Sequence, residues 1–230
     1  MSDWNYSLTL PRRADESPRT ISDRTRRVYD RLAAIYPAST FFFHSKAHRK
    51  ALEVSGIESG MKVLELATGS GEMFRRLVRA NPKGQTFGLD LSPNMAARTQ
   101  RRARAEFKDA QAHCQAVDAR YLPFKDASFD AVMCCFLLEL LDADGIRRSL
   151  AEVRRVLKPG AKFTLVVIGQ NAEIFNQMYR VCGKVAPAFW GRQVDASIPE
   201  TLHSAQFAIL EDHVVRQGFY PSRVFVTEHA

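Results

Sequence analysis

No pair of cysteines in this chain stands in a CxxC spacing. The four present are Cys114, Cys134, Cys135 and Cys182, and that pattern argues against a zinc site and demands no oxidising compartment. No stretch approaches the roughly 18 apolar residues of a spanning helix. The opening MSDWNYSLTLPRR lacks the apolar run of a secretion signal, and a cytoplasmic protein is the expectation. Internal repeats and low-complexity tracts are absent too. What is present is apolar bulk: 46% of 230 residues are hydrophobic, enough for one large core and too much for a disordered chain. Lys and Arg outnumber Asp and Glu by 33 to 25, a formal charge of +8. That excess suits anionic partners or simply a basic surface. Arginines crowd residues 12–31 and again Arg98, Arg101, Arg102 and Arg104.

Residues 1–20 carry no periodicity and read as a flexible basic arm. Residues 21–58 read as a helical lid. Its first helix starts near Ser22, with Val28, Leu32 and Ile35 on one stripe, and Pro37 stops it. A second helix covers His44 to Val54. Residues 59–230 alternate short apolar runs with amphipathic ones. Strands are predicted at Lys62–Leu66, Gln85–Asp90, His113–Val117, Phe129–Phe136 and Lys162–Ile168. Helices are predicted from the glycine turn to Ala80, from Ser92 to Phe107, and over Ala143–Val156, with Lys158-Pro159-Gly160 closing the last. This order implies right-handed crossovers and a Rossmann-like, doubly wound, mostly parallel α/β sheet with helices on both faces. Residues 170–205 read as a helix Ala172–Val185, then a loop through Pro187, Trp190 and Pro199. A last helix is predicted at Leu210–Gln217, stopped by Gly218, and a last strand at Tyr220–Thr227.

The strongest chemical signal is VLELATGSGEMFRRL, residues 63–77. A strand ends at Leu66, small residues make a turn, and a helix begins. Small residues let backbone N–H groups approach a ligand, and a helix N-terminus favours an anion or a carboxylate. About twenty residues on, the second strand ends in Asp90, placed as the acid that accepts from ribose hydroxyls. Phe74 stands where a dinucleotide fingerprint has its third glycine, which argues against NAD. Glu65 inside the first strand reads either as a hydrogen-bonded structural acid or as a ligand contact.

ELATGSGE, then GLDLSPNM, then VDARYLPFKDASFDAVMCC, then EVRRVLKPGAKFTLV together resemble the motif series of class I S-adenosylmethionine-dependent methyltransferases, across residues 28–168. The segment VYDRLAAIYPASTFFFHSKAHRKAL is similar to the N-terminal helix of the ubiquinone/menaquinone-biosynthesis C-methyltransferase group. The resemblance implies S-adenosylmethionine as cofactor. It implies that Ala67, Gly69 and Gly71 wrap the methionine part, although the family usually has glycine at the position of Ala67. It sets Asp90 on the ribose, Leu91 and Met95 against the adenine, and Asp118 on the adenine amino group with Ala119 beside it. Cys135, Phe136 and Leu137 close the pocket. The resemblance also implies a substrate-side insertion at residues 170–205. Tyr29 and Tyr36 cover the cofactor or pack. His44, with His48 nearby, and Glu139 are candidate bases; Glu139 alternatively sits on a solvated face. The implied acceptor is small or lipid-like, such as a quinone precursor or a phospholipid headgroup, and the basic arm can rest on an anionic membrane. RNA methylation is a weaker rival, because CCFLLELL lacks the N/D-P-P-Y/F run of base amino-methylases. A non-catalytic cofactor-binding regulator is a further alternative. No metal is expected.

Overall fold

The computed structural model describes residues 36–169, 197–217 and 220–229. In chain order the elements are α1 (Tyr36–Val54), β1 (Lys62–Leu66), α2 (Glu72–Ala80), β2 (Gln85–Asp90), α3 (Pro93–Glu106), β3 (Gln111–Ala116), β4 (Phe129–Cys135), α4 (Ala143–Val156), β5 (Leu157–Ile168), α5 (Ile198–Ser204), β6 (Phe207–Gln217) and β7 (Tyr220–His229). A single 3₁₀ turn, Leu138–Leu140, follows β4. The strands form one sheet in the order β3-β2-β1-β4-β5-β7-β6. The first five run parallel, and β7 is antiparallel to both β5 and β6.

Alternation along β1 explains the layers. Leu64 and Leu66 join one core with Leu165, with Leu150 and Val153 of α4, and with Ile198 and Leu202 of α5. Val63 points the other way, to Ala47 and Ala51 of α1 and Met73 and Leu77 of α2. A smaller cluster locks α2 to α3 through Phe74, Val78, Ala96 and Ala103. Three phenylalanines, Phe87, Phe124 and Phe129, meet edge to face with centroids 4.8–5.7 Å apart. The sheet is therefore covered on both faces, as a parallel sheet must be.

β1, β2 and α4 occupy their predicted ranges. Ser92 caps α3, its hydroxyl accepting from Met95 N–H at 3.2 Å with Pro93 at the first helical position. β3 lies slightly earlier than expected, at Gln111–Ala116. β4 stops at Cys135, because Phe136 takes a left-handed φ of 57°.

Four expectations are corrected. Pro37 does not stop a helix: it lies in the first turn of α1, where its missing N–H costs nothing, and one helix runs from Tyr36 to Val54. β5 starts at Leu157, paired with Phe129, and its regular ladder resumes at Lys162 opposite Ala131, so Lys158-Pro159-Gly160 forms an irregularity within the strand. A short helix occupies Ile198–Ser204 at the end of the region read as a loop. The predicted helix at Leu210–Gln217 is strand β6. The sheet thus closes with an antiparallel pair, Phe207–Gln217 and Tyr220–His229. The predicted helices starting at Ser22 and Ala172 and the basic arm lie outside the described residues.

Candidate functional site

Three left-handed residues shape the bend between β1 and α2: Ala67 (φ 57°), Gly69 (φ 49°) and Gly71 (φ 79°). At Ala67 this conformation costs about 1–2 kcal/mol, because its Cβ crowds the carbonyl. Thr68 N–H donates to Leu89 O at 3.0 Å, tying the bend to β2, and Gly71 N–H donates to Thr68 O at 2.8 Å. Gly71 is required twice over, since a Cβ there would also meet Thr99 Oγ1 at 2.7 Å. Gly88 in β2 leaves the space that Thr68 and Phe74 fill. α2 starts at Glu72, and its N-cap Gly71 offers no side-chain cap, so the first N–H groups of the helix are open to a ligand's oxygens.

Asp90, at the end of β2, is braced to the same bend. Its Oδ2 accepts from Gly69 N–H at 2.7 Å and its Oδ1 from Ser92 N–H at 2.9 Å. Leu91 is half-buried beside it, and Met95 is buried in the first turn of α3. Val117 N–H donates to Asp90 O at 2.9 Å, which brings the segment after β3 alongside. Asp118 and the half-buried Ala119 follow, and Asp118 is gripped by Arg120. The two aspartates thus stand at neighbouring carboxyl ends of a parallel sheet, where such folds bind ligands.

Glu65 lies on β1 directly before this bend and is 1% exposed. Its Oε2 has no hydrogen-bond partner among the described residues. Burial first, and the Asp90 charge second, push its carboxyl well above the ordinary 4.5. A buried acid lacking a donor is what a cationic ligand group would satisfy.

At the end of β4, Cys134 and Cys135 fall into opposite cores, as alternation requires. Burial raises both thiols, so they are neutral walls rather than nucleophiles. Phe136 turns the chain out of the sheet, its N–H donating to Val166 O at 2.8 Å. Leu137 packs on the main core. Glu139 is not on a solvated face: it is 2% exposed, and its Oε1 accepts from Ile168 N–H at 2.6 Å. α1 covers this end, with the buried His48 ring 6.0 Å from Phe136. Tyr36 begins α1 and His44 lies along it, while Tyr29 is outside the described residues. Arg120, Thr99 and the left-handed turn at Phe136 shape the site without belonging to any of the sequence motifs' expected contacts. Only Arg120 left a signal, as a cation two residues after an expected ligand acid.

A doubly wound sheet with an acid-braced, small-residue bend at its carboxyl edge defines a Rossmann-like adenosine-binding domain. Residues 63–160 match a family model described as a methyltransferase domain. The chain is 33% identical over 170 residues to the 2-phytyl-1,4-naphtoquinone methyltransferase of Trichormus variabilis, spanning 69% of this chain and 72% of that protein. It is 32% identical over 178 residues to the ubiquinone/menaquinone biosynthesis C-methyltransferase UbiE of Bordetella avium, spanning 73% of this chain and 62% of that one. The solved structure of a SAM-dependent methyltransferase from Aquifex aeolicus superposes with a TM-score of 0.62 at 17% identity, over 92% of this chain and all of that one. The chain belongs to the class I S-adenosylmethionine-dependent methyltransferases and resembles the UbiE group among them. It is an enzyme, and S-adenosylmethionine is its cofactor. The unsatisfied Glu65 oxygen, the glycine bend and the two aspartates fit a molecule with an ammonium, a carboxylate and an adenosine.

Proposed function

We propose that this enzyme methylates a small or lipid-like acceptor, most specifically a quinone precursor. The likeness to the phytyl-naphtoquinone methyltransferase over 72% of its length carries this reading. In the same proposal Ala67, Gly69 and Gly71 hold the methionine part of the cofactor and Asp90 holds the ribose. Leu91, Met95, Asp118, Ala119 and Cys135 line the adenine side, and Tyr29 and Tyr36 cover it. The bracing of Asp90 by Gly69 N–H supports this grouping, because it makes bend and acid one rigid unit.

When bound, the cofactor supplies an electrophilic methyl group for in-line displacement. The chain's own residues orient the acceptor and exclude water, and orientation contributes about 7–11 kcal/mol. A ring-carbon acceptor must also lose a proton. His44 on α1 and the buried Glu139 are the residues proposed to take it. The Ile168 N–H bond to Glu139 Oε1, which fixes the carboxylate, supports this reading.

The purified protein should transfer labelled methyl from S-adenosylmethionine to a demethylated prenyl-naphthoquinol. Glu139→Gln or His44→Ala should lower kcat about 10²–10⁴-fold if it removes the base. Label appearing only in phospholipid headgroups or in RNA, with none in the quinol, would overturn the proposed acceptor.

A further inference from the structure

We propose that Arg120 is a positioning residue that sets the Asp118 carboxylate for an amino group and so makes the site discriminate adenine from a ring bearing a carbonyl at the same position. The proposal rests on the reading of Asp118 given above. Arg120 folds back on Asp118 with its whole donor edge. Its backbone N–H reaches Oδ1 at 2.9 Å, Nε lies 3.0 Å from Oδ1 and 3.1 Å from Oδ2, and Nη2 lies 2.6 Å from Oδ2. Both side chains are only about a quarter exposed, at 26% and 27%. The turn between them is closed independently, by Tyr121 N–H donating to Asp118 O at 3.0 Å. The guanidinium also lies over the Tyr121 ring, 6.0 Å from its centroid, and within the field of Asp142, which caps α4.

Two consequences follow for Asp118. First, the fork-shaped cation engages both oxygens, Nε reaching Oδ1 and Oδ2 and Nη2 reaching Oδ2, and fixes the plane of a carboxylate, a group that only accepts. Second, a carboxylate offers about four acceptor directions, and Arg120 fills those on its own side. The directions left face away from Arg120 and can be met only by a donor. An exocyclic amino group donates; a carbonyl in its place puts two acceptors face to face. Specificity built on such a part-buried polar contact exceeds what apolar contact gives. A lysine supplies the charge without the planar fork and would leave the carboxylate free to rotate.

The test is calorimetry of S-adenosylhomocysteine and S-inosylhomocysteine, which differ at that ring position, with the wild type, Arg120→Ala and Arg120→Lys. The wild type should prefer the adenine compound. In Arg120→Ala the preference should fall about tenfold or more, through weaker adenine binding, and Arg120→Lys should recover only part of it. If Arg120→Ala does not fold, the fall in Arg120→Lys carries the same measurement. An unchanged ratio with both ligands weakened alike would overturn the proposal, since the ion pair would then only close a turn. A wild type that binds neither compound would overturn the cofactor-site reading itself.

Discussion

Glu65 shows how one side chain reports on its surroundings. It stands in an apolar strand, covered by the face that holds Val63, Ala47 and Met73, with the Asp90 charge nearby. Its carboxyl keeps a proton that the unfolded chain, titrating near 4.5, has released. The folded state therefore binds more protons than the unfolded state above that pH, so stability falls as pH rises from about 4.5 towards the raised value. Glu65→Gln, which carries no proton to lose, should make the cofactor-free protein more stable than wild type at pH 8. The gap should close towards pH 4 in urea titrations; a wild type that is the more stable at pH 8 would contradict this. The acid itself was legible in VLELATG, but its burial was not, because the covering residues of α1 and α2 come from distant positions. The glycine bend and Asp90 were legible because the chemistry is local: small residues and one acid at fixed distances from a strand. The grip of Arg120 on Asp118 depends on a side chain folding backwards, which no periodicity encodes.

Among elements, α4 does more than cover the sheet. Arg155 donates to Leu122 O at 2.9 Å and Phe124 O at 2.7 Å, and pairs with Asp126 and Glu152. Glu152 in turn accepts from Leu122 N–H at 2.6 Å. Two motifs separated in sequence, ARYLPFKDASFD and EVRRVLKPG, thus become one unit, and the first begins beside Asp118. Arg155→Ala removes the charged donor from two carbonyls and a half-buried carboxylate. It should cost about 2 kcal/mol, read as a lower urea midpoint with unchanged slope; a loss below about 0.5 kcal/mol would show that water replaces the arginine. β4 and the FTLVVI end of β5 were visible in sequence because burial on both faces makes them near-continuous apolar runs, whereas the parallel edge strand β3 alternates exposed and buried residues. β6 was not. Its register against β7 shifts between Ile209 and Glu211, leaving Leu210 as an extra residue. That bulge breaks the alternation of two, and Leu210 and Val214, four residues apart, then mimic a helical stripe. Both are exposed on the outermost strand, so hydrophobicity gave no second signal.

For the whole molecule, part of the excess of positive charge has a location among the described residues. Arg98, Arg101 and Arg102 share a face of α3, with Arg104 one turn on, while Glu106, the one acid of that helix, pairs with Arg75 and Arg79. Burial, with Arg102 and Arg101 nearby, lowers the pKa of the Arg98 guanidinium. An anionic surface would relieve that crowding, and no helix among the described residues is long and apolar enough to cross a membrane. Peripheral contact is the corresponding proposal. The protein should float with phosphatidylglycerol vesicles and not with phosphatidylcholine ones, and should release at high salt; Arg98→Glu with Arg101→Glu should weaken flotation. Equal recovery on both vesicle types would count against it.

The strand order sets a timetable for biosynthesis. β7 emerges from the ribosome after β6, yet it is the strand that lies against β5, with Val224, Phe225 and Val226 wholly enclosed. The β5 flank therefore lacks its native partner strand while residues 169–219 are translated, on the order of 3–10 s at about 5–20 residues per second. During that interval the nascent chain carries an open strand edge made of FTLVVI, a ready template for mispairing. Chaperone demand should accordingly peak late in translation.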